Sequence, residues 1–202
     1  GPAAVAEVAF GEGEDPGVTI QAWRSALARI LPYFGLEGEE VFCRFYRGGA
    51  SIGFGAPVDM LYAATEMNEW AIGAANAVQT GAPEASLDAS VDRIRISVEE
   101  EANRELRAME EAAQERGIPF LWDDDFVSLG YGLHSVTWPF REVPPVHSVE
   151  WERYKSIPVV VITGTNGKTT TSRLLTRILS CCGHAVGNTS TDGVCVNEEV
   201  VE

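Results

Sequence analysis

The chain has 202 residues, of which 45% are hydrophobic and 9% aromatic, as is typical of a soluble globular protein with one or two domains. Its 30 acidic and 15 basic residues give a formal net charge of −15, which would repel a phosphate backbone, so nucleic acid is not an expected partner. No run approaches the roughly 20 apolar residues of a membrane span. We therefore expect no membrane partner and a cytoplasmic location.

The N-terminal part predicts an α+β domain over residues 17–140 that follows a flexible lead-in, residues 1–16, in which no hydrophobic period is present. From Thr19 apolar residues recur at helical spacing until Pro32, which predicts a first helix. The runs EVFCRFY and SIGFGAP flank RGGA, a pattern typical of a β-hairpin. A second helix follows, with Gly81 as its C-terminal stop and an apolar stripe made by Met60, Leu61, Ala64, Met67, Trp70 and Ala71.

The segment 86–116 is strongly helical, and Ser97 with Glu100 has the spacing of a capping box. One long broken helix and two shorter helices are both compatible with it, and we favour two. The run IPFLWDDDFVSLGYGLHSVTW then alternates β-type residues with turn residues, which predicts a small β element in which WDDD forms an aspartate-capped turn rather than a cation site. Residues 141–156 carry Pro144 and Pro145 with little periodicity and predict a linker.

The stretch PVVVITGTNGKTTTSRLL combines a strand pattern, a glycine turn and a helix pattern. Residues 158–163 are β-branched almost throughout, as in a strand buried on both faces of a parallel sheet. The residues after the turn form a helix pattern that ends at Gly183, and its apolar face is made by Leu174, Leu175, Ile178, Leu179 and Cys182. Strand, glycine turn and helix in this order are the context of a phosphate-binding loop.

The residue types of GTNGKT suit phosphate binding. Backbone N–H groups near Gly164 and Gly167 can converge on phosphate oxygens, and the helix N-terminus adds partial positive charge. Lys168 can reach the β- and γ-phosphates of ATP, and the Thr169 hydroxyl can bind Mg²⁺. The general pattern G-x-x-x-x-G-K-[ST] requires a glycine where Ile162 stands, whereas the shorter form is complete. A tight glycine connection without a ligand is the structural alternative.

The chain resembles a known family in this region. VVVITGTNGKTTTSRLLTRIL followed by GHAVGNTSTDGV is similar to the opening of the central domain of the Mur ligase superfamily, and most closely to the ligase portion of cyanophycin synthetases. Further upstream, GFGAPVDMLYAATEMNEWA and AQERGIPFLWDDDFVSLGYG are similar to N-terminal segments of cyanophycin-synthetase-like chains. In those chains an ATP-grasp domain follows the LGYG segment, and here only about thirty residues separate it from the glycine turn.

The resemblance implies ATP-dependent amide formation. A small-molecule or peptide carboxylate would become an acyl phosphate, and an amine substrate would displace phosphate. Lys168 is implied as the catalytic residue, with Thr169 and Thr191 near Mg²⁺. The loop Thr189–Asp192 would lie near the metal and the acceptor carboxylate, unless it is only a polar turn that leads into a hairpin. The residues implied to line the triphosphate are Gly164, Thr165, Asn166, Gly167, Lys168, Thr169 and Thr170.

The expected fold class is therefore α+β followed by α/β, in which residues 157–202 begin a parallel-sheet, P-loop domain of the Mur ligase type. The further strands and the C-terminal domain that the family implies do not fit before residue 202, so we expect an inactive N-terminal fragment of a longer ligase. The sheet edges of the incomplete second domain should be exposed and favour self-association into a homo-oligomer. The alternatives are a non-catalytic nucleotide-binding or assembly module, and a P-loop NTPase of another class.

Overall fold

A computed structural model describes residues 1–11, 13–197 and 199–201. The helices are α1 (Pro16–Ile30), α2 (Leu61–Thr80), α3 (Leu87–Glu101), α4 (Arg104–Glu115) and α5 (Lys168–Cys181). The strands are β1 (Ala3–Ala9), β2 (Val41–Tyr46), β3 (Gly49–Gly55), β4 (Phe120–Trp122), β5 (Phe126–Leu129), β6 (Val136–Pro139), β7 (Gly187–Ser190), β8 (Gly193–Val196) and β9 (Glu199–Val200). Short 3-10 helices cover Leu31–Phe34, Gly132–His134, Phe140–Glu142, Val146–Ser148 and Trp151–Arg153.

The chain forms two compact units. Unit 1 comprises Gly1–Ala112 with Val143–Val149, and unit 2 comprises Ala113–Glu142 with Glu150–Glu202. The predicted linker is therefore shared between the units, and the predicted domain boundaries at 140 and 157 stay a prediction. No described helix is long and apolar enough to cross a membrane.

The sheet of unit 1 has the antiparallel order β1-β3-β2. β1 pairs with β3 over its whole length, from Ala3 opposite Gly55 to Ala9 opposite Gly49. The expectation of a flexible lead-in over residues 1–16 is therefore wrong for this strand. Its order comes from hydrogen bonds to a partner about fifty residues away, which a search for local periodicity does not detect. The β2–β3 hairpin was predicted correctly.

Helices α1 and α2 cover one face of this sheet and form the core with it. The predicted helical spacing in α1 is confirmed, because Trp23 and Leu27 are each only 1% exposed. The stripe of α2 is confirmed at Ala64, Met67 and Ala71, which are fully buried. Gly81 ends α2 in a left-handed conformation with φ 69°, as expected.

Two separate helices occupy the segment 86–116, as favoured from the sequence. The capping box expected at Ser97 is wrong, because Ser97 lies inside α3 and its hydroxyl donates to Glu66 over 2.7 Å. The start of α3 is capped instead by Ser86, which accepts from the N–H of Ala89. Serine and glutamate three residues apart are common on an exposed helix face as well as at a cap, so the pattern alone misplaced this boundary.

The other face of the sheet is built from glycine and large aromatic residues. A methyl group at Gly53 would lie 2.3 Å from the carbonyl oxygen of Ala4 and 2.7 Å from the ring of Phe42. The Tyr46 side chain likewise lies over Gly49, and its hydroxyl oxygen is 3.5 Å from the Val8 carbonyl oxygen on β1. The small residues of β3 therefore let aromatic side chains of β2 lie flat across the sheet.

Substitution of two glycines should have opposite effects on stability. We expect Gly53→Ala to lower the free energy of unfolding by about 1–3 kcal/mol, because the methyl group meets backbone and ring atoms. Gly73→Ala in α2 should raise it by about 0.5–1 kcal/mol, because nothing lies within 4 Å of its methyl position. Urea denaturation followed by circular dichroism measures both. Equal effects at the two positions would contradict this packing.

Two carboxylates at the junction of α2, α3 and α4 are partly buried. The Glu101 carboxylate accepts hydrogen bonds from the N–H groups of Tyr62 and Ala63, over 2.9 and 2.6 Å, and so caps α2. Burial raises the pKa of Glu101 despite these two bonds, and burial together with the charges of Glu111 and Asp59 raises the pKa of Glu110.

Glu110→Gln tests the raised pKa. The folded protein holds the Glu110 proton more tightly than the unfolded chain, so this group stabilises the fold below its ordinary pKa of 4.5 and loses that contribution as the pH rises. We expect the variant to be more stable than the wild type at pH 7, by up to about 0.5 kcal/mol, and to lose this advantage near pH 4. Thermal unfolding at both pH values measures the difference. A larger advantage at pH 4 would contradict the assignment.

In unit 2 the predicted small β element is an antiparallel sheet of β4, β5 and β6. Its first turn is the expected aspartate-capped turn. The Asp123 carboxylate accepts from the N–H groups of Asp125 and Phe126, over 2.9 and 2.7 Å. The three aspartates of WDDD therefore belong to a turn, as the sequence favoured.

Main-chain contacts hold residues 154–156 against the LGYG segment. The Tyr131 N–H donates to the Lys155 carbonyl, and the Lys155 N–H donates to the His134 carbonyl. Gly130 has φ 78°, and a methyl group there would lie 2.1 Å from the His134 carbonyl oxygen. This part of the predicted linker is thus bonded within unit 2.

The β-branched run 158–163 differs from its prediction. No strand is assigned to it among the described residues, and Val159, Val160 and Val161 are 63, 65 and 85% exposed rather than buried. A strand exists only when a neighbouring strand satisfies its backbone groups, and no described strand pairs with this run. The parallel P-loop sheet stays a prediction.

Candidate functional site

The GTNGKT loop leads directly into α5. Gly164 has φ 152° and Gly167 has φ 79°, both of which are conformations that favour glycine. Gly167 is the N-cap of α5, and Lys168 is its first residue. The first helical hydrogen bond runs from the Thr171 N–H to the Gly167 carbonyl over 2.9 Å. The N–H groups of residues 168–170 precede this bond and have no acceptor within the helix.

The N-terminus of α5 differs from that of the other helices. In α1–α4 a side-chain oxygen accepts from an N–H group of the first turn, and these oxygens belong to Asp15, Glu101, Ser86 and Asn103. Gly167 offers no side chain, and no described side chain caps α5. The open first turn therefore combines free donors with the positive end of the helix dipole.

Lys168 points back over the loop that precedes it. Its Nζ donates to the Gly164 carbonyl over 2.6 Å, so the side chain spans the loop between its two glycines. Thr165, Asn166, Lys168 and Thr170 are exposed, and Thr169 is half-buried. A methyl group at Gly167 would meet nothing within 4 Å, which leaves space in front of α5.

The second predicted loop is a hairpin turn attached to α5. Thr189 and Ser190 belong to β7, and Thr191 and Asp192 connect β7 to β8. The Asp192 carboxylate accepts from Arg173 on α5 over 2.9 Å. The polar turn that feeds a hairpin is therefore the observed local structure, and an ion pair connects it to α5.

A second contact between β7 and α5 lies one residue earlier on the helix. The Ser172 hydroxyl is hydrogen-bonded to the Asn188 side-chain carbonyl. Among the described residues no hydrogen bond joins Thr191 to the GTNGKT loop. The sequence did not predict these contacts of Arg173, Ser172 and Asn188. The only signal in it is the opposite charge of Arg173 and Asp192, and oppositely charged residues at such a separation are common.

The described residues hold no group of three or more His, Cys, Asp or Glu that could bind a metal ion. A hydroxyl oxygen is a hard ligand that Mg²⁺ accepts together with phosphate oxygens. Thr169 suits this role, because it is half-buried in the open first turn of α5. Thr191 is exposed in its turn, and its role at a metal stays a prediction.

The apolar face of α5 is covered in part, since Leu175 and Leu179 are half-buried. Leu174 and Ile178 are 60 and 51% exposed, and Thr176 is the buried residue of the helix. The valines of residues 159–161 are exposed as well, although the sequence predicts a buried run there. Exposed apolar surface of this kind favours contact with further protein.

Comparison with known proteins gives a short and specific match. Over 46 residues, 23% of this chain, it is 59% identical to the cyanophycin synthetase of Crocosphaera subtropica and 56% identical to that of a Synechocystis strain. Over 51 residues, 25% of the chain, it is 49% identical to the cyanophycin synthetase of Trichormus variabilis. These matches span 5–6% of the relatives' lengths. No protein-family model matches the chain.

A double-mutant cycle tests the contact between α5 and the hairpin turn. We expect Arg173→Ala and Asp192→Ala to be coupled by about 0.2–1 kcal/mol in the free energy of unfolding, as for exposed ion pairs. The coupling should decrease in 1 M salt. Denaturation of the two single variants and the double variant measures it. Strict additivity at low salt would show that the pair does not hold the turn.

Proposed function

We propose that the GTNGKT loop and the first turn of α5 bind the triphosphate of ATP together with Mg²⁺. The observation that carries this proposal is the uncapped start of α5, with Lys168 folded across the loop. The free N–H groups of residues 168–170 would donate to phosphate oxygens. The Lys168 ammonium would break its hydrogen bond to the Gly164 carbonyl and donate to the β- and γ-phosphates, because a charged acceptor forms the stronger hydrogen bond.

The magnesium ion would be shared between the nucleotide and the chain. The Thr169 hydroxyl is the proposed protein ligand, and Thr191 is a second candidate whose turn is attached to α5 through Asp192. When bound, the metal would neutralise charge on the β- and γ-phosphates. The chain's own part is to hold the phosphates in place, with Gly164, Thr165, Asn166, Gly167 and Thr170 lining them.

We further propose that this nucleotide site belongs to an ATP-dependent ligase that joins a carboxylate to an amine through an acyl phosphate, in the manner of the Mur ligases. The similarity to three cyanophycin synthetases supports this reaction class over other uses of ATP. Since the matches span 5–6% of those proteins, the proposal gives this chain the phosphate-binding part of the reaction. The carboxylate and the amine are small molecules or peptides.

A cytoplasmic location is proposed with this function. The four cysteines, Cys43, Cys181, Cys182 and Cys195, are free thiols, and Cys181 and Cys182 are exposed. Exposed free thiols are typical of a reducing compartment. ATP and Mg²⁺ are abundant in the same compartment.

Calorimetric titration of ATP with Mg²⁺ into the wild-type chain and Lys168→Ala tests the triphosphate site. We expect the substitution to weaken binding about ten- to a hundredfold, because a hydrogen bond to a charged group is worth about 1.5–3 kcal/mol. Lys155→Ala is the matched control, since Lys155 is the only other lysine of the chain and contacts its neighbours through backbone atoms. It should bind ATP as the wild type does.

Equal losses in the two lysine variants would mean that only general charge matters, and an unchanged affinity in Lys168→Ala would refute the phosphate site. AMP should bind the wild type more weakly than ATP, because it lacks the phosphates that Lys168 contacts. The non-catalytic alternative has a separate test. ATP binding without phosphate release in any longer protein that contains this chain, with carboxylate and amine present, would favour it.

A further inference from the structure

A cavity of about 440 Å³ lies in unit 1. It is bounded by the end of β1, the first turns of α1 and the last turns of α2. Its floor is apolar and buried, with Ile20 at 7% exposure and Trp23, Ile52 and Ala75 at 1% each. Small-molecule sites usually have volumes of about 300–1,000 Å³ and a mostly apolar lining. The cavity has a volume in this range, and its lining combines eight apolar residues with five polar ones.

The rim of the cavity is polar. Gln79 on α2 donates through its amide to the Thr19 hydroxyl on α1, which joins the two helices at the opening. Glu14 stands on the loop before α1, and its carboxylate accepts from the Gly11 N–H over 2.8 Å. Asn76 adds an exposed amide from α2. A few polar groups at the mouth of an apolar cavity orient a ligand that has one polar end.

The charge at the rim of the cavity determines which polar group a ligand can place there. Glu14 is the one charged side chain among the described residues that line the cavity. A carboxylate accepts hydrogen bonds and attracts a cation. The formal net charge of −15 adds a field of the same sign over the whole chain. A ligand with a negative group would therefore be repelled, and a cation would gain an attraction to Glu14 that a neutral ligand does not.

We propose that this cavity binds a small organic monocation, with an ammonium or guanidinium group on an apolar body about the size of a phenyl ring. The apolar body lies against the half-buried side chains of Val8, Phe10 and Ile72, above the buried floor. The cation lies at the rim beside the Glu14 carboxylate, where the amides of Gln79 and Asn76 supply carbonyl acceptors. All lining residues belong to unit 1, so this site is separate from the phosphate-binding loop and does not depend on its function.

Three probes of the same size and different charge test the proposal: benzylamine, benzyl alcohol and benzoate. Each is titrated into the ¹⁵N-labelled chain without nucleotide, and the indole N–H of Trp23 and the side-chain amide of Gln79 are followed by NMR. Benzylamine should shift both signals saturably and bind about two- to fivefold more tightly than benzyl alcohol, the range of an exposed ion pair. Benzoate should bind most weakly.

Glu14→Gln identifies the source of the preference. Glu14 is exposed, and glutamine retains an acceptor for the Gly11 N–H, so the fold should be unaffected. In this variant benzylamine should bind no better than benzyl alcohol. The matched control is Glu69→Gln, which removes an exposed carboxylate from α2 outside the cavity and should leave the preference unchanged.

Three results would overturn the proposal. The first is no saturable shift of Trp23 or Gln79 with any probe, which would mean that the cavity is not a ligand site. The second is equal affinity for the three probes, which would leave an apolar cavity without charge selection. The third is an equal loss of preference in Glu14→Gln and Glu69→Gln, which would make the effect one of net charge.

Discussion

The N–H groups in the first turn of a helix have no acceptor within that helix, and this constraint explains both the packing of unit 1 and the chemistry of the loop in unit 2. In α2 two of these donors, the N–H groups of Tyr62 and Ala63, are satisfied by the Glu101 carboxylate, which belongs to α3 and so ties the two helices together. In α5 the position before the helix is Gly167, which has no side chain to offer. The corresponding N–H groups of residues 168–170 in α5 have no side-chain acceptor among the described residues, and we propose that they meet an external anion.

The distribution of charge in the chain sets the N-terminus of α5 apart from the rest of the surface. The net charge of −15 disfavours polyanions over most of the surface, and the chain has two lysines. One of them, Lys168, is the first residue of α5, so a side-chain cation and the helix dipole act at the same place. Because salt screens exposed charges beyond about 10 Å at 0.1 M, this local arrangement can outweigh the general repulsion. The Lys168–Gly164 hydrogen bond keeps the ammonium close to that place.

The elements with a strong local pattern could be predicted from the sequence. The apolar spacing of α1 and α2, the β2–β3 hairpin and the aspartate turn at Asp123 are examples. The role we propose for GTNGKT likewise rests on consecutive residues. What could not be predicted depends on distant partners. β1 exists because it pairs with β3, the run 158–163 lacks a described partner strand, and Arg173 meets Asp192 across nineteen positions. Local residue preference carries no information on such pairs.

The most direct test of the central claim is an NMR titration of the ¹⁵N-labelled chain with ATP and Mg²⁺, in which the backbone amides of residues 167–170 are followed. If the open start of α5 holds the triphosphate, these amides should shift strongly and saturably, because their N–H groups gain charged acceptors. Amides in the first turn of α2, already bonded to Glu101, should stay unchanged. Saturable shifts elsewhere with none at residues 167–170 would contradict the account, since ATP would then bind at another site.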